Sequence, residues 1–267
     1  MSSDGSGPTA NQGSPTLSAL VIARNEEAQL GACLERLRFT DEIVVVLDRS
    51  SDRSAEIAHG LGARVVEGEW ELEGPRRNAG LDQCRCDWII EIDADERVPP
   101  ALAQEIRRAI GGGASDIFLV PMANHIGEHR IRYGWGAYNG VAAKPILFRR
   151  GAKRWGAGRV HPRIEMTGRR GSLSETLDHY VDRDIGDMFR RLNRYTDLAA
   201  RDALDAGEKP AMRDAVRRIF SRFWKSYVAR KGHREGAYGL ALATFSALYP
   251  LLIYLKVATA KGGGEKK

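Results

Sequence analysis

The sequence predicts an α/β fold: a mixed, mostly parallel sheet flanked by helices, followed by amphipathic and apolar helices at the C-terminal end. Short apolar runs alternate with helical stretches from residue 17 to residue 113, which is the pattern of a parallel sheet. With 267 residues, 43% of them hydrophobic and 28% charged, the chain can form one large domain with an appendage. This composition excludes collagen-like, wholly disordered and multi-span membrane proteins.

The first half of the chain contains four predicted strands that alternate with four predicted helices. The strands cover residues 17–23, 42–47, 63–67 and 87–92. Three of the helices cover residues 26–37, 75–84 and 100–110. The fourth is capped by Ser51 and Asp52 and ends at residue 61. Pro99 and Pro100 open the last helix, and the three glycines at 111–113 end it.

The second half has a different pattern, with strands at 117–122 and 145–149 and a glycine- and aromatic-rich stretch at 127–140. Such a mixed half is more typical of a lobe that binds the acceptor of a transfer reaction than of a second nucleotide-binding half. A helix is predicted from 184 to 206, with Gly207 as its stop. The predicted domains are a disordered leader (1–16), a main domain (17–183, divided into 17–113 and 114–183), a helical membrane-associating extension (184–260) and a flexible tail (261–267).

The positive charge of the chain is local. Its net charge is +6, but residues 213–234 hold eight basic side chains against one acidic one, so the remainder carries a net charge of −1. The main domain is therefore not expected to bind nucleic acid. Three cysteines and no secretory signal in the leader indicate reduced thiols in the cytoplasm.

Polar residues follow three of the predicted strands, at 23–27, 48–52 and 93–96. In open α/β sheets ligands bind outside the carboxyl ends of the strands, so these segments are candidates for a site. Neither a Gly-x-Gly-x-x-Gly nor a Gly-x-x-x-x-Gly-Lys motif follows any of them, which disfavours a dinucleotide or P-loop site.

The chain contains two Asp-x-Asp pairs. Asp93 and Asp95 end an apolar strand, where two carboxylates on a tight turn can bind Mg²⁺ or Mn²⁺ together with a diphosphate; a solvated turn is the alternative. Asp182 and Asp184 precede a predicted helix, where acidic residues serve as caps.

Four segments in order and spacing resemble the family 2 glycosyltransferases of GT-A fold: 23–27 (ARNEE), 44–52 (VVVLDRSSD), 77–81 (RNAGL) and 92–97 (IDADER). Further segments at 160–161, 179–180, 192–196 and 231–232 are similar to the lipopolysaccharide core glucosyltransferase branch of that family. The resemblance covers residues 17–260. It implies a GT-A fold, a nucleotide-sugar donor such as UDP-glucose, an inverting transfer and a divalent metal.

The resemblance also implies roles for particular residues. The residues that would face the nucleobase and ribose are Ala23, Arg24, Glu26 and Asp48. Arg77 would approach the nucleotide or the diphosphate, and Asp93 would lie near the ribose. Asp95, together with Asp93, would bind the metal. Without the resemblance, Arg24 and Glu26 are a surface cation and a helix-start acid.

An inverting transfer needs a base that takes the proton of the acceptor hydroxyl. Related sequences often carry His-Glu where this chain has His161-Pro162, so the expected carboxylate is missing. The remaining candidates are His161 and Glu165, with Glu128 as a more distant one. His179 is interpreted as structural.

The C-terminal extension contains one apolar stripe at helical spacing, formed by Val216, Ile219, Phe220, Phe223, Trp224, Tyr227 and Val228. Such a stripe either packs on a core or, with this many flanking cations, lies on a membrane surface, which we favour. Residues 236–255 carry no charge, and we expect a buried or half-inserted helix there rather than a full span.

The resulting hypothesis is a cytoplasmic glycosyltransferase, peripherally bound to the inner membrane through residues 213–258, that acts on a lipid-linked saccharide such as lipopolysaccharide core. A polyprenyl phosphate acceptor is the alternative within the class. A non-catalytic, basic membrane- or RNA-binding protein with a relic nucleotide lobe is the alternative outside it.

Overall fold

The computed structural model of the protein describes residues 13–134, 143–158 and 163–260. These residues form two compact units: unit 1 extends to residue 121 and resumes from 143 to 177, and unit 2 contains 122–134 and 178–260. Of the predicted leader only residues 13–16 are described, and the predicted tail lies outside the described residues. The units group 122–134 with the C-terminal helices, whereas the predicted domain boundaries do not; those boundaries remain a prediction.

Unit 1 is built on a sheet with six principal strands. They are β1 (Leu17–Ala23), β2 (Glu42–Asp48), β3 (Arg64–Gly68), β4 (Trp88–Asp93), β6 (Ile117–Ile126) and β8 (Ala143–Arg149), in the order β3-β2-β1-β4-β8-β6. β1 is parallel to β2 and β4, and β2 is parallel to β3, whereas β8 is antiparallel to β4 and β6. The predicted mixed, mostly parallel sheet is confirmed.

The helices and short strands of unit 1 connect these strands. They are α1 (Leu30–Glu35), α2 (Ser54–Gly60), α3 (Glu73–Leu81), α4 (Pro100–Gly111), β5 (Glu96–Arg97), β9 (Lys153–Trp155), β10 (Ile164–Met166) and β11 (Arg170–Ser172). The prediction that the first helix begins at residue 26 was wrong by one turn. Asn25 adopts a positive φ of 54°, and the backbone N–H of Glu26 donates to the Ser54 hydroxyl, so helix α1 begins only at Leu30.

The core of unit 1 surrounds the central strand. All seven residues of β1 are buried, as expected for a parallel strand covered on both faces. Helix α3 approaches the sheet closely at Gly80, where a Cβ atom would lie 2.4 Å from a Leu20 methyl carbon. This close approach fixes α3, which carries Arg77, against the strands that end in the acidic residues.

Unit 2 contains the end of β6, the strands β7 (His129–Arg130) and β12 (Leu177–Asp182), and three long helices: α5 (Ile185–Asp205), α6 (Met212–Trp224) and α7 (Gly236–Thr259). A π-helical turn (Lys225–Ala229) and a 3₁₀ turn (Gly232–Glu235) join α6 to α7. The Asp184 carboxylate caps α5 by accepting from Asp187 N at 2.7 Å, and Asp182 pairs with Arg191 at 2.7 Å. The structural interpretation of the second Asp-x-Asp pair is confirmed.

The predicted apolar C-terminal helix is also present, as α7. Its buried residues include Leu242 and Phe245, which pack in a core with residues of α5 such as Met188 and Leu192. In the part of the chain that the structure describes, one helical segment, Gly232–Thr259, is long and apolar enough to cross a membrane.

Candidate functional site

The carboxyl ends of β2, β1 and β4 lie side by side, because the three strands are adjacent and parallel. Ala23, at the end of β1, is buried, Arg24 is exposed and Glu26 is half-buried. Asp48 ends β2 and Asp93 ends β4. The structure therefore brings the sequence-predicted nucleotide-site residues of unit 1 to one edge of the sheet.

Hydrogen bonds join the loop after β1 to the loop after β2. Ser51 N donates to Asn25 Oδ1 at 2.9 Å, and Glu27 N donates to Asp52 Oδ2 at 2.9 Å. Asn25 tolerates its left-handed backbone conformation better than most residues do. The two loops thus form one hydrogen-bonded rim at the strand ends, next to Arg24 and Glu26.

Asp48 organises the end of β2. It is 2% exposed; Oδ1 accepts from Arg49 Nε at 3.0 Å and Trp70 N at 3.2 Å, and Oδ2 accepts from Arg76 Nη1 at 3.2 Å. Burial raises the pKa of Asp48, but its hydrogen bonds and the neighbouring guanidinium charges outweigh burial and lower it. A buried, ionised Asp48 therefore orients two arginines at this edge.

Arg77 is held by three carboxylates. Its Nε donates to Glu73 Oε1 at 2.8 Å, Nη1 to Glu91 Oε1 at 2.8 Å, and Nη2 to Asp93 Oδ1 at 2.9 Å. The guanidinium also stacks 4.8 Å above the Trp155 ring. All three nitrogens have partners, so the side chain is fixed against β4 in this structure.

Sequence reasoning missed the pair formed by Glu91 and Lys153. Both residues are less than 5% exposed, and Lys153 Nζ lies 2.7 Å from Glu91 Oε2. Burial raises the pKa of Glu91, but the Lys153 and Arg77 charges outweigh it and hold the pKa below its ordinary value. A glutamate inside an apolar strand was the available signal, since a buried charge needs a partner.

Lys144 was missed as well. Its ammonium lies 2.6 Å from Glu96 Oε1 and 3.3 Å from Asp93 Oδ2. Burial raises the pKa of Asp93, but the charges of Arg77 and Lys144 outweigh it and hold the pKa well below its ordinary value. We call the resulting series of alternating charges the charge chain: Lys153, Glu91, Arg77, Asp93, Lys144 and Glu96.

The acidic turn after β4 fits a metal ion that is shared with a ligand. Among the described residues, no group of three or more His, Cys, Asp or Glu side chains is placed to hold a metal. Asp93 already shares its two oxygens with Arg77 and Lys144, and Asp95 is half-buried in the same turn. Carboxylate oxygens suit Mg²⁺ or Mn²⁺, which usually take further ligands from substrate phosphates and water. Two carboxylates thus fit such an ion only where a bound ligand and water supply the remaining donors.

The candidate bases are spread along the chain. His161 lies outside the described residues. Glu165 is exposed on β10 in unit 1, and Glu128 is exposed in unit 2 at the turn between β6 and β7. His179 Nδ1 lies 2.9 Å from Asn124 Oδ1, which agrees with its structural interpretation.

These features define an α/β enzyme whose strand ends combine an acidic turn with clustered arginines. The model of the family described as Glycosyl transferase family 2 matches residues 18–173, which is more than half of the chain. The chain belongs to this family.

Relatives agree with the assignment. The chain is 28% identical over 249 residues to the lipopolysaccharide core biosynthesis glycosyltransferase LpsC of Rhizobium meliloti, covering 90% of this chain and 91% of that protein. It is 25% identical to an uncharacterized glycosyltransferase of Rickettsia bellii, over 80% and 76% of the two chains.

Among solved structures, S. aureus TarS 1–349 in complex with UDP has a TM-score of 0.50 and 17% identity, covering 91% of this chain and 88% of that one. This likeness supports the GT-A-type fold. A glucosyl-3-phosphoglycerate synthase from Mycobacterium tuberculosis, solved with Mn²⁺ and UDP, matches 42% of this chain and 44% of that one with 25% identity and a TM-score of 0.36.

Proposed function

We propose that the protein is an inverting glycosyltransferase that moves a sugar from a nucleotide-sugar, UDP-glucose or a close analogue, to a lipid-linked saccharide of the lipopolysaccharide core. The observation that carries the donor side is the acidic turn at Asp93 and Asp95, adjacent to the arginines held by Asp48 and β4. The similarity to LpsC along nine-tenths of the chain supports the acceptor class.

In this proposal the nucleotide lies on the edge formed by β2, β1 and β4. Ala23, Arg24, Glu26 and Asp48 bind the nucleobase and ribose, because they line the rim beside the strand ends. The buried Asp48 acts partly through Arg49 and Arg76, which it holds at this edge by ion pairs.

Arg77 and Asp93 form the next part of the proposed donor site, near the diphosphate and ribose. Asp95, with Asp93, would hold the divalent metal, Mg²⁺ or Mn²⁺. When bound, that ion supplies positive charge that stabilises the leaving diphosphate. Arg77 is fixed by Glu73 and Glu91, so its charge is oriented before a ligand arrives.

The proposed base is His161 or Glu165. Either would accept the proton of the attacking hydroxyl as the new glycosidic bond forms. Glu165 is exposed and neighbours Arg154 on the paired strand β9, so its carboxylate faces water in the absence of an acceptor.

A lipid-linked acceptor places the enzyme at a membrane. We propose cytoplasmic, peripheral association with the inner membrane through residues 213–258, because this segment combines most of the excess positive charge with exposed apolar side chains. A polyprenyl phosphate acceptor is the alternative substrate of the same chemistry.

Calorimetric titration of UDP and UDP-glucose, with and without Mn²⁺, tests the donor site. We expect micromolar binding that requires Mn²⁺ and is lost in Asp95→Ala. Asp184→Ala is the matched control, since it belongs to an Asp-x-Asp pair of the same spacing that caps α5. Folded protein that binds neither ligand, or that binds equally after Asp95→Ala, would refute the donor assignment and favour a relic lobe.

A further inference from the structure

Helix α6 and the π-helical turn that follows it present a row of large apolar side chains to solvent. Val216, Phe220, Trp224 and Val228 follow one another at intervals of four residues and are 40%, 72%, 64% and 37% exposed. We call this row the α6 ridge. Among the described residues, every large hydrophobic side chain that is exposed lies between 185 and 255. Aromatic side chains this exposed are rare on a soluble surface without a partner.

The ridge faces away from the body of unit 2. Ala215 and Ser226 are buried, and Ile219 is half-buried. The Ser226 hydroxyl donates to Gly134 O at 2.8 Å, which anchors that face to the protein. At 100° per residue, Phe220 points well over 90° away from Ala215. The predicted single stripe therefore divides: its inner edge packs on unit 2, and its outer edge is the ridge.

One face of helix α7 packs within the protein. Gly239, Leu242 and Pro250 are buried, and the Arg222 guanidinium of α6 lies 5.4 Å from the centre of the Tyr249 ring. Were α7 to cross a bilayer with α6 packed along it, Arg222 would sit near the middle of the hydrocarbon. A single arginine at that depth costs about 2.5–3.5 kcal/mol. The α6 arrangement therefore disfavours α7 as a membrane span.

The charges around the ridge select its partner. Arg218 lies about 160° from Phe220 around the helix and lines a cavity with Tyr249, so it is on the other side of α6. Arg213 and Arg217 are exposed within about 60° of Phe220, and Asp214 is the one acidic residue of α6. A second copy docked through the same face would bring these cations against their own counterparts. An anionic lipid surface instead complements the cations and accepts the aromatic side chains between its headgroups.

We propose that α6 lies in the plane of an anionic membrane with the ridge inserted among the headgroups, while α7 stays within the protein. This inference deepens the proposed function, whose acceptor is lipid-linked, and names the element that contacts the lipid. It differs from a transmembrane anchor because the helix lies parallel to the surface and is released without detergent.

Sedimentation with vesicles of 30% phosphatidylglycerol in phosphatidylcholine tests the proposal on the full chain. We expect Phe220→Ser/Trp224→Ser to reduce vesicle partitioning at least about 30-fold, because each exposed aromatic contributes on the order of tenfold. Arg213→Glu/Arg217→Glu should weaken binding at low salt, and pure phosphatidylcholine should bind little. Leu198→Ser/Leu204→Ser, which exchanges exposed apolar residues of α5, is the comparator and should retain binding.

Three results would overturn the proposal. One is equal loss in the α5 comparator; another is wild-type protein that resists alkaline carbonate extraction, which indicates a span by α7. The third is a ridge variant that keeps vesicle binding but changes from dimer to monomer in gel filtration, which assigns the ridge to a second copy. UDP titration of each variant separates this test from the donor site: ridge variants that bind UDP normally are folded, and their loss of partitioning concerns the membrane alone.

Discussion

Replacing Lys153 by methionine tests whether the interior end of the charge chain stabilises unit 1. The substitution keeps the length of the side chain and removes the ammonium that lies 2.7 Å from Glu91 Oε2. Removing one partner of a buried ion pair costs about 3–5 kcal/mol, because the other charge stays buried. Glu91 retains Arg77 at 2.8 Å, so we expect the lower end, about 3 kcal/mol.

Urea denaturation followed by tryptophan fluorescence measures the effect, since Trp155 packs against the same lysine and arginine. A loss of about 3 kcal/mol corresponds to a fall in Tm of roughly 6–12 °C for a chain of this size. Arg38→Met is the control: it breaks a pair with Glu35 whose side chains are 67% and 48% exposed, and should cost less than about 0.5 kcal/mol.

A second variant separates the lost charge from lost packing. In Lys153→Met/Glu91→Gln the unpaired carboxylate is also removed, so part of the stability should return. The reasoning is refuted if Lys153→Met costs no more than Arg38→Met, or if the double variant is less stable than the single one by a full further 3 kcal/mol, which is about the cost of a second broken pair.

Three further predictions concern the same unit. Lys144→Met should tighten the binding of Mn²⁺ alone about tenfold in EPR titrations, because Asp93 loses a neighbouring cation. Lys144→Arg keeps that cation and should bind Mn²⁺ as the wild type does. Equal Mn²⁺ affinities of the two variants would contradict this prediction. Gly74→Ala should lower stability by about 1–3 kcal/mol in thermal melts, since its Cβ would lie 1.9 Å from Gly156 O, while Gly60→Ala meets no atom within 4 Å and should be near neutral. The folded-state pKa of Asp93 lies below its ordinary value of 3.8, so its contribution to the free energy of unfolding is complete above that value and is lost as the pH falls. The urea midpoint should therefore fall less steeply between pH 5 and pH 3 in Asp93→Asn than in the wild type. An unchanged slope would show that Asp93 does not contribute to stability.

Much of the sheet could be predicted because its strands are apolar runs between polar turns. β1, β2 and β4 lie within one residue of their predicted bounds. Helix α1 was predicted too long, since helical spacing cannot reveal that the backbone N–H groups of Glu26 and Glu27 donate to the Ser54 and Asp52 side chains. That bond pattern depends on contacts more than twenty residues apart.

The candidate site was predicted only in part, for the same reason. Asp48, Arg77 and Asp93 stand in short motifs and were found, whereas Lys144 and Lys153 come from strands that reach β4 from the second half of the chain. Nothing local to either lysine marks it as a buried partner.

Helical periodicity likewise identified the apolar side of α6 and not its packing. The face with Ala215 and Ser226 packs against the body of unit 2, so the largest side chains, Phe220 and Trp224, stay exposed to solvent. Small residues at the contact face carry no strong signal, because a sequence pattern ranks faces by hydrophobicity and not by which of them is covered.

The charge chain limits how this protein can diverge. Each of its six charges lies beside one of opposite sign, so a change at one position removes a charge partner from its neighbour. Among descendants of this sequence, Glu91 and Lys153 should be exchanged together, as should Lys144 and Glu96, and single replacements should be rare. Covariation between residues more than forty positions apart would then reveal, from an alignment of sequences, a contact that no single sequence shows.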